Sequence, residues 1–445
     1  MRLDKLIGKY NWLLAVILAG CNATPSGFVK LQPFNSQFRN DTSVMYVTSD
    51  LKRVSEYPVA EYGYSVKQND FEKMRNNPLF IDEIIADYKY IPLETSDRSL
   101  VGHIDELLSD GNRLFLVDYH NDKVLSFDKE GHFICQIGEK GKGHNEYVSL
   151  MNASLFRNSN EVCLLDWDAK KLLFYDYNGK YKRTVPMYFH YDAVTSVGDE
   201  ILMLTLNYEN GRIEGVKNSQ ITVCGDDFVP QAGILSSRGF PAWTDFSTNF
   251  SVRNLRALRS YPDGTFYSNI LSPDTIWQYD GKRMCNFCSI DFGSDNIFTT
   301  SDTYSTMSTD QYYERVNKVN HIVDYDMTKD FMWIMTSHSG QIIINRKNGQ
   351  TLYGMLSNRE MEHSVILHML FDLISSNTPF TFDWDGNSFV GFIEPYEMLR
   401  IKKNWQKRND AISSYQKLPK KDRVILDTID EEDNPVMLIV TLKPF

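Results

Sequence analysis

Short apolar runs separated by polar turns recur through most of the chain. The clearest example is residues 113–147, where apolar runs occupy 114–117, 124–127 and 133–137. Their length and their β-branched and aromatic content predict three strands joined by tight turns. The run at 114–117 is apolar on both faces, which is typical of a strand buried between two layers.

A near-copy of this stretch follows 48 positions downstream. Matching residue types stand in one frame at Asp118 and Asp166, Tyr119 and Trp167, Lys123 and Lys171, Phe127 and Tyr175, Asp128 and Asp176, Gly131 and Gly179, and Phe133 and Tyr181. Further strand–turn units occur at 220–227, 274–281, 341–349 and 380–393. Several contain Asp-Gly or Asn-Gly, which favour hairpin turns. A period of about 40 to 50 residues with several strands per unit indicates a β-propeller.

Six such units predict an all-β fold, a six-bladed β-propeller over residues 87–445. Helical spacing at 310–323 and 397–415 predicts short insertions on one face of the ring, and 71–85 includes a further short helix. A ring has to close, so we expect strands at 88–93 and 435–442 to share or flank the closing blade. Residues 21–86 show no repeat and are interpreted as a tether and an N-terminal extension packed onto the ring.

The first 20 residues have the pattern of a signal peptide. Arg2, Lys5 and Lys9 precede an apolar run at 12–18 that is too short to span a bilayer. Leu-Ala-Gly-Cys at 18–21 resembles the bacterial lipobox, which implies cleavage after Gly20 and a lipid on Cys21. The alternative is a plain signal peptide with a chance cysteine. We therefore expect attachment to a membrane through an N-terminal lipid.

Net charge limits the kinds of partner that the chain can bind, and cysteine content indicates whether disulfides stabilise it. The formal net charge is −11, and it becomes −13 without residues 1–20, which argues against nucleic acid as a partner. Five scattered cysteines remain after Cys21, an odd number that does not form a disulfide framework. Cys285 and Cys288 form a CxxC pair within a predicted strand, where we expect them on opposite faces as buried thiols.

Several sequence features resemble the six-bladed β-propeller lipoproteins of Bacteroides-type bacteria. They are Ile-Pro-Leu-Glu-Thr at 91–95, Phe-Asp-x-x-Gly at 127–131 and Ile-Gly-x-x-Gly-x-Gly-x-x-Glu-Tyr at 137–147. The resemblance covers most of the chain after residue 87. The family loop has Pro-Gly where this chain has His144-Asn145. The resemblance implies a lipid-anchored propeller facing the cell envelope, and it supplies no catalytic residues.

The spacer at 22–27 bears on the location of the anchored chain. It carries no acidic residue, whereas members of that bacterial group often mark surface-exported lipoproteins with acidic residues after the lipidated cysteine. This favours the periplasmic side of the outer membrane.

Asp118, His120, Asp166, Trp167 and Trp384 are the possible ligand-binding residues. Asp118 and Asp166 end equivalent strands, where a carboxylate either caps its own turn or joins others around Ca²⁺. We favour turn caps and assign no metal or other cofactor. Trp167 and Trp384 stand at strand–turn junctions, where they either pack at the rim or stack on sugars. If Trp167 is buried, its replacement by Ala should destabilise the fold by about 3 kcal/mol.

Two other features have competing explanations. The glycines at 138, 141 and 143 follow a strand and lead to another strand, so they predict a blade-to-blade turn and not a phosphate loop. Basic residues between Arg400 and Arg423 predict a solvated helix or a docking patch for anionic lipid or an acidic partner.

The function expected from the sequence is that of a non-catalytic envelope lipoprotein that binds a protein partner or a glycan. The alternative is a propeller hydrolase or lyase acting on glycan or lactone substrates at the axial face. Asp, Glu and His side chains converging in a deep funnel would favour the enzyme. A shallow or aromatic-lined face would favour binding.

Overall fold

A computed structural model describes residues 28–32, 34, 45–48, 59–67, 78–205, 210–213, 215–217, 219–236, 257–268, 274–293, 321–337, 340–357, 380–384, 386–407 and 415–445. Cys21, the spacer at 22–27 and most of the predicted insertion at 310–323 lie outside these residues. The elements that precede the first complete blade are β1 (Phe28–Leu31), β2 (Met45–Thr48), β3 (Val59–Val66), β4 (Pro78–Phe80), α1 (Ile81–Ile84) and β5 (Ile85–Pro92).

Three four-stranded antiparallel sheets follow along the chain. Blade 1 is β6 (Glu106–Ser109), β7 (Arg113–Asp118), β8 (Lys123–Asp128) and β9 (Phe133–Gln136). Blade 2 is β10 (Leu150–Phe156), β11 (Glu161–Asp166), β12 (Lys171–Asp176) and β13 (Tyr181–Pro186). Blade 3 is β14 (Ala193–Val197), β15 (Glu200–Leu204), β16 (Ser219–Cys224) and β17 (Pro230–Ser236).

Three more sheets complete the ring. Blade 4 is β18 (Leu258–Tyr261), β19 (Gly264–Tyr267), β20 (Thr275–Tyr279) and β21 (Met284–Ile290). Blade 5 is β22 (Ile322–Met327), β23 (Phe331–Thr336), β24 (Gly340–Asn345) and β25 (Thr351–Ser357). Blade 6 is β26 (Phe380–Thr381), β27 (Ser388–Ile393), β28 (Val436–Leu442) and, from the other end of the chain, β5. The six-bladed β-propeller predicted from the sequence is confirmed.

Pairing between strands from the two ends of the chain closes the ring. In blade 6, β28 pairs antiparallel with β5, and the register places Val436 opposite Pro92 and Val440 opposite Tyr88. β28 also pairs with β27, so it is a central strand of its sheet. The predicted closure by residues 88–93 and 435–442 is therefore confirmed.

The residues before β5 add strands to the outer edges of two blades. β3 pairs parallel with β21 of blade 4, and β4 pairs parallel with β25 of blade 5. Each added strand satisfies backbone groups that an edge strand would otherwise leave unpaired. The domain limits at residues 20/21 and 86/87 stay predictions.

Hydrophobic clusters fill the interfaces between neighbouring blades. Phe115 and Val117 of β7 pack toward blade 2, whereas Leu114 and Leu116 of the same strand pack toward blade 6. All four side chains are buried. A strand in this position has no solvent face, which explains why residues 114–117 are apolar without alternation.

The helical insertion after β27 packs against the outer side of blade 6. It contains α2 (Pro395–Lys407) and α3 (Lys420–Thr428), and Met398, Ile401 and Trp405 belong to the cluster between blades 5 and 6. Lys421 Nζ also binds the main-chain oxygen of Tyr88, on β5, at 2.6 Å. The expected placement of residues 397–415 on one face of the ring stays a prediction. The apolar stripe of α2 is buried in the cluster between blades 5 and 6.

A β-bulge changes the orientation of the CxxC pair. In β21, Cys285 lies opposite Gln278 and Cys288 opposite Ile276, because the register shifts at Phe287. Gln278 and Ile276 are two positions apart on one strand and share a face, so both cysteines lie on that face. The expectation of opposite faces is wrong because it assumed a regular strand. Both thiols are buried, and neither forms a disulfide.

Candidate functional site

The first strand of each blade lines an axial cavity with a volume of about 180 Å³. Strands alternate in direction within a blade, so each first strand begins at the same face of the ring. We call this the connection face, because it carries the blade-to-blade connections and the turns between second and third strands. The opposite face, which carries the turns between first and second strands, is the turn face. The cavity extends to the turn face, where Asp110, Pro262 and Asp383 line it.

A charged network from blades 4, 5 and 6 forms one wall of the cavity. Arg259 of β18 makes ion pairs with Asp324 and Asp326 of β22, the second at 3.3 Å. Tyr261 Oη donates to Asp326 Oδ1 at 2.6 Å, and the Thr381 hydroxyl donates to the same oxygen. Burial opposes the charge on Arg259, but the two aspartates outweigh it and raise the pKa of the guanidinium. These partners hold the Asp326 carboxylate in the wall.

Polar groups without protein partners lie on the side of blades 2 and 3. Ser154 Oγ of β10, Arg157 Nε in the turn that follows β10, and Thr195 Oγ1 of β14 are buried atoms that have no hydrogen-bond partner among the described residues. Ser154 and Thr195 are 7% and 2% exposed. Buried polar atoms normally have a partner, so the three groups mark a place for a polar ligand or water.

A hydrogen bond orients the guanidinium of Arg157, but within the described residues no ion pair neutralises its charge. Its Nη2 donates to the main-chain oxygen of Ser109 at 2.8 Å. The described carboxylates all lie beyond ion-pair distance, and burial lowers the pKa of Arg157. A buried cation has lost part of its hydration, and an anionic ligand that binds it replaces the lost interactions with water.

Trp384 lies at the turn-face end of the cavity, as part of its wall. Its ring stacks on Tyr261 with centroids 5.3 Å apart, and the Arg346 guanidinium lies 5.1 Å from the ring centroid. Both contacts fix the indole in place. Trp384 is therefore the one sequence-predicted candidate that lies at the axial cavity.

Asp118 caps a turn on the connection face and links it to the start of blade 1. Its Oδ1 accepts the main-chain N–H groups of His120 and Asn121 at 3.0 and 2.9 Å, and its Oδ2 accepts the N–H of His103 at 2.8 Å. Burial opposes ionisation, but these bonds and the Asn121 amide outweigh it and lower the pKa of Asp118. A Cβ on Gly102 would lie 2.7 Å from Asp118 Oδ2, so this approach requires glycine.

Asp166 has the same role one blade further on. Its Oδ2 accepts the N–H of Val148 at 2.8 Å, and its Oδ1 accepts those of Ser149 and Ala169 at 3.2 and 3.1 Å. The oxygens that a Ca²⁺ ion would need are therefore occupied by backbone donors in both aspartates. The two carboxylates do not share a site, and each accepts hydrogen bonds from backbone groups of its own blade.

His120 and Trp167 occupy different surroundings. Trp167 is half-buried against the cluster between blades 2 and 3, with Lys170 Nζ 3.4 Å from its ring centroid. His120 is exposed and lies beside His103, and both contact Asp105. The structure thus joins His120 to Asp118 and separates it from Trp167 and Trp384.

The glycine-rich segment connects blade 1 to blade 2, as predicted. Gly143 N–H donates to Glu146 Oε2 at 2.7 Å, and Tyr147 Oη donates to the main-chain oxygen of Asp122 at 2.7 Å. In place of the family Pro-Gly, His144 contacts Tyr181, and the main-chain oxygen of Asn145 accepts from Tyr175. These contacts anchor the connection to both blades.

Sequence reasoning missed the residues that give the cavity its chemistry. Ser154 and Thr195 stand on first strands and Arg157 directly follows one, and the 48-residue match that revealed the repeat covers the second, third and fourth strands of blades 1 and 2 and not these first strands. A polar residue on the first strand of a predicted blade is the signal that could have found them. The innermost strand is the one that faces the axis.

The fold and the cavity define the class: a six-bladed β-propeller with a polar axial cavity. The chain belongs to the DUF4934 family, described as a domain of unknown function, whose family model matches residues 66–441. No curated protein matches the chain. Among the described residues, every helix is too short or too polar to cross a membrane.

Solved structures with the same arrangement include a Bacteroides fragilis protein named "Putative exported protein (BF0058)". The two are 15% identical, with a TM-score of 0.63 over 87% of this chain and 100% of that chain. A duf4221 family member from Bacteroides vulgatus is 8% identical, with a TM-score of 0.41 over 81% of this chain and 98% of that one. BamB from Moraxella catarrhalis is 9% identical, with a TM-score of 0.31 over 63% and 68%. At these identities, the B. fragilis protein supports the fold alone.

Proposed function

We propose that this chain is a non-catalytic binding protein of the cell envelope whose axial cavity takes an acidic sugar of an envelope glycan. The observation that carries the proposal is a group of unpartnered donor atoms at the cavity: the hydroxyls of Ser154 and Thr195 on two neighbouring first strands, and Arg157 Nε in the turn after the first of them. A sugar carboxylate fits a guanidinium in a two-point arrangement, and hydroxyl groups of the ring fit the two side-chain hydroxyls.

Two of the carboxylates that line the cavity support binding over acid–base chemistry. Asp326 is held by Arg259, Tyr261 and Thr381, and Glu106 accepts from the Tyr119 hydroxyl at 2.7 Å. Groups held in this way give the cavity fixed walls.

Export and lipid attachment complete the proposal. The B. fragilis relative is named for export, and the segment at 1–21 of this chain has a signal pattern that ends in the lipobox-like Cys21. We infer an outer-membrane lipoprotein on the periplasmic side. Labelling with an alkyne fatty acid in the producing bacterium should mark the wild-type chain and leave Cys21→Ala unlabelled. Equal labelling would contradict the anchor.

A thermal-shift panel tests the ligand class. The acidic probes are D-glucuronate and D-galacturonate. D-glucose and D-galactose are the corresponding uncharged controls. We expect the uronates to raise the Tm of the wild type and the neutral sugars to raise it less. A panel in which none of the four probes shifts the Tm would overturn the acidic-sugar assignment.

A further inference from the structure

The connection face carries a cluster of metal-ligating side chains at the start of blade 1. His103 and Asp105 lie in the connection between β5 and β6, and His120 lies in the turn between β7 and β8. His103 Nδ1 is 3.1 Å from Asp105 Oδ1, and His120 Nδ1 is 3.3 Å from Asp105 Oδ2. A donor atom from each residue lies within 4.8 Å of the other two.

We propose that His103, Asp105 and His120 form a binding site for a divalent transition metal of the Zn²⁺ class. Ligand atoms at about 2.0 to 2.1 Å from a tetrahedral Zn²⁺ stand about 3.3 Å apart, which is close to the distance from each imidazole to its nearer Asp105 oxygen, Oδ1 for His103 and Oδ2 for His120. Two imidazole nitrogens and one carboxylate oxygen suit Zn²⁺, whereas Ca²⁺ and Mg²⁺ prefer an all-oxygen shell. The site is separate from the axial cavity and independent of the proposed function.

The backbone around the cluster is held in place before any metal binds. The Asp118 carboxylate accepts the main-chain N–H groups of both His103 and His120, so one buried side chain fixes the two segments that carry the imidazoles. Asp105 Oδ2 accepts the N–H of Tyr119 at 2.7 Å. Such outer contacts orient metal ligands and lower the cost of assembling them.

The solvent exposure of the three side chains indicates an open metal site. The side chains of His103 and His120 are 59% and 70% exposed, and that of Asp105 is 17% exposed. Three protein ligands on an open surface leave at least one coordination position to water or to a ligand group. The bound metal would therefore be exchangeable and would join the β5–β6 connection to the β7–β8 turn.

Calorimetric titration of the untagged, EDTA-dialysed full chain with ZnCl₂ tests the proposal, and Co²⁺ absorption in the visible range gives the coordination geometry. We expect one equivalent of Zn²⁺ and tetrahedral Co²⁺ bands. His103→Ala, His120→Ala and Asp105→Asn should each weaken binding at least about ten-fold. His132→Ala is the matched control, because His132 is equally exposed at 70% and contacts a single carboxylate, that of Asp128, at 3.0 Å.

Two results would overturn the assignment. One is a wild-type chain that takes up no Zn²⁺, in which case the two imidazoles only hydrogen-bond Asp105. The other is a His103→Ala/His120→Ala double variant that binds Zn²⁺ as the wild type does. Both histidines lie on the surface, so we expect each variant to fold. A circular dichroism spectrum like that of the wild type shows that a loss of Zn²⁺ binding comes from the site and not from unfolding.

Discussion

Asp118 and Asp166 make equivalent hydrogen bonds in neighbouring blades. In each, Oδ2 accepts a 2.8 Å hydrogen bond from a main-chain N–H of the connection that leads into the first strand of its own blade. The donors belong to His103 and Val148. The 48-residue repeat thus preserves a structural link between the second strand of a blade and the entry to its first strand.

Removing either carboxylate should destabilise the fold. Asp118→Ala and Asp166→Ala each remove the acceptor of several part-buried N–H groups, and we expect a loss of about 2 kcal/mol in the free energy of unfolding. Urea denaturation with and without about 1 mM CaCl₂ measures this loss of stability. Calcium should leave all three proteins unchanged. A calcium-dependent stabilisation of the wild type that both variants lose would instead support the metal interpretation of these aspartates.

Trp167→Ala should cost less than the roughly 3 kcal/mol expected for a buried indole. Trp167 is half-buried, and part of its ring is covered by the flexible side chain of Lys170. We expect a loss of about 1 to 2 kcal/mol by chemical denaturation, and Lys170→Ala provides the control for the cation–π contact. A loss as large as that of Trp333→Ala, where the ring is 1% exposed, would show that the site is fully packed.

Asp422 makes stability depend on pH. It lies on α3 with the Tyr88 hydroxyl 3.2 Å from Oδ1, and burial raises its pKa to about 6. Since the folded-state pKa lies above the ordinary value, the contribution to stability is complete below about pH 4 and is lost as the pH rises through about 6. Relative to Asp422→Asn, the wild type should lose on the order of 2 kcal/mol between about pH 4 and pH 7.

Unfolding midpoints in urea across this pH range measure the effect. Asp427→Asn is the control, because the Tyr415 hydroxyl and Lys402 lower the pKa of Asp427, which gives the opposite sign. The wild type should gain stability relative to Asp427→Asn as the pH rises through the acid range. Parallel pH profiles for the wild type and Asp422→Asn would show that Asp422 does not titrate in this way.

Closure by β28 should be sensitive to proline. Leu438→Pro removes a donor from a central strand that pairs on both sides, and we expect a loss of about 3 kcal/mol or more, with low soluble yield. Ile134→Pro is the control, because Ile134 is 36% exposed on edge strand β9 and stands at a register shift. If both variants were equally stable, the pairing of β28 with β5 would not be what closes the ring.

The repeat predicted the architecture because its signal is local. Apolar runs mark the second and third strands, and Asp-Gly or Asn-Gly stands in hairpin turns of several blades. The β-bulge at Phe287 has no such signal, which is why the orientation of Cys285 and Cys288 was wrong. Helix α2 likewise has no local signal for the surface that covers it. Its stripe of Met398, Ile401 and Trp405 predicts a helix, but not which surface covers the stripe.

The candidate sites depend on contacts between distant parts of the chain. Ser154 and Thr195 line one cavity because β10 and β14 are adjacent first strands. Asp105 and His120 meet because a blade-to-blade connection and a turn between second and third strands share one face. The sequence identified His120 as a possible ligand-binding residue, but its partners follow from the ring geometry.

Calorimetric titration of the full chain with D-glucuronate, compared between the wild type and Arg157→Gln, tests the axial-cavity proposal most directly. Gln keeps most of the side-chain volume and removes the guanidinium charge. We predict one bound uronate per wild-type chain and at least about ten-fold weaker binding to Arg157→Gln, with D-glucose bound weakly by both. Equal uronate affinity in the two proteins, or no heat of binding in either, would contradict an acidic ligand in the axial cavity.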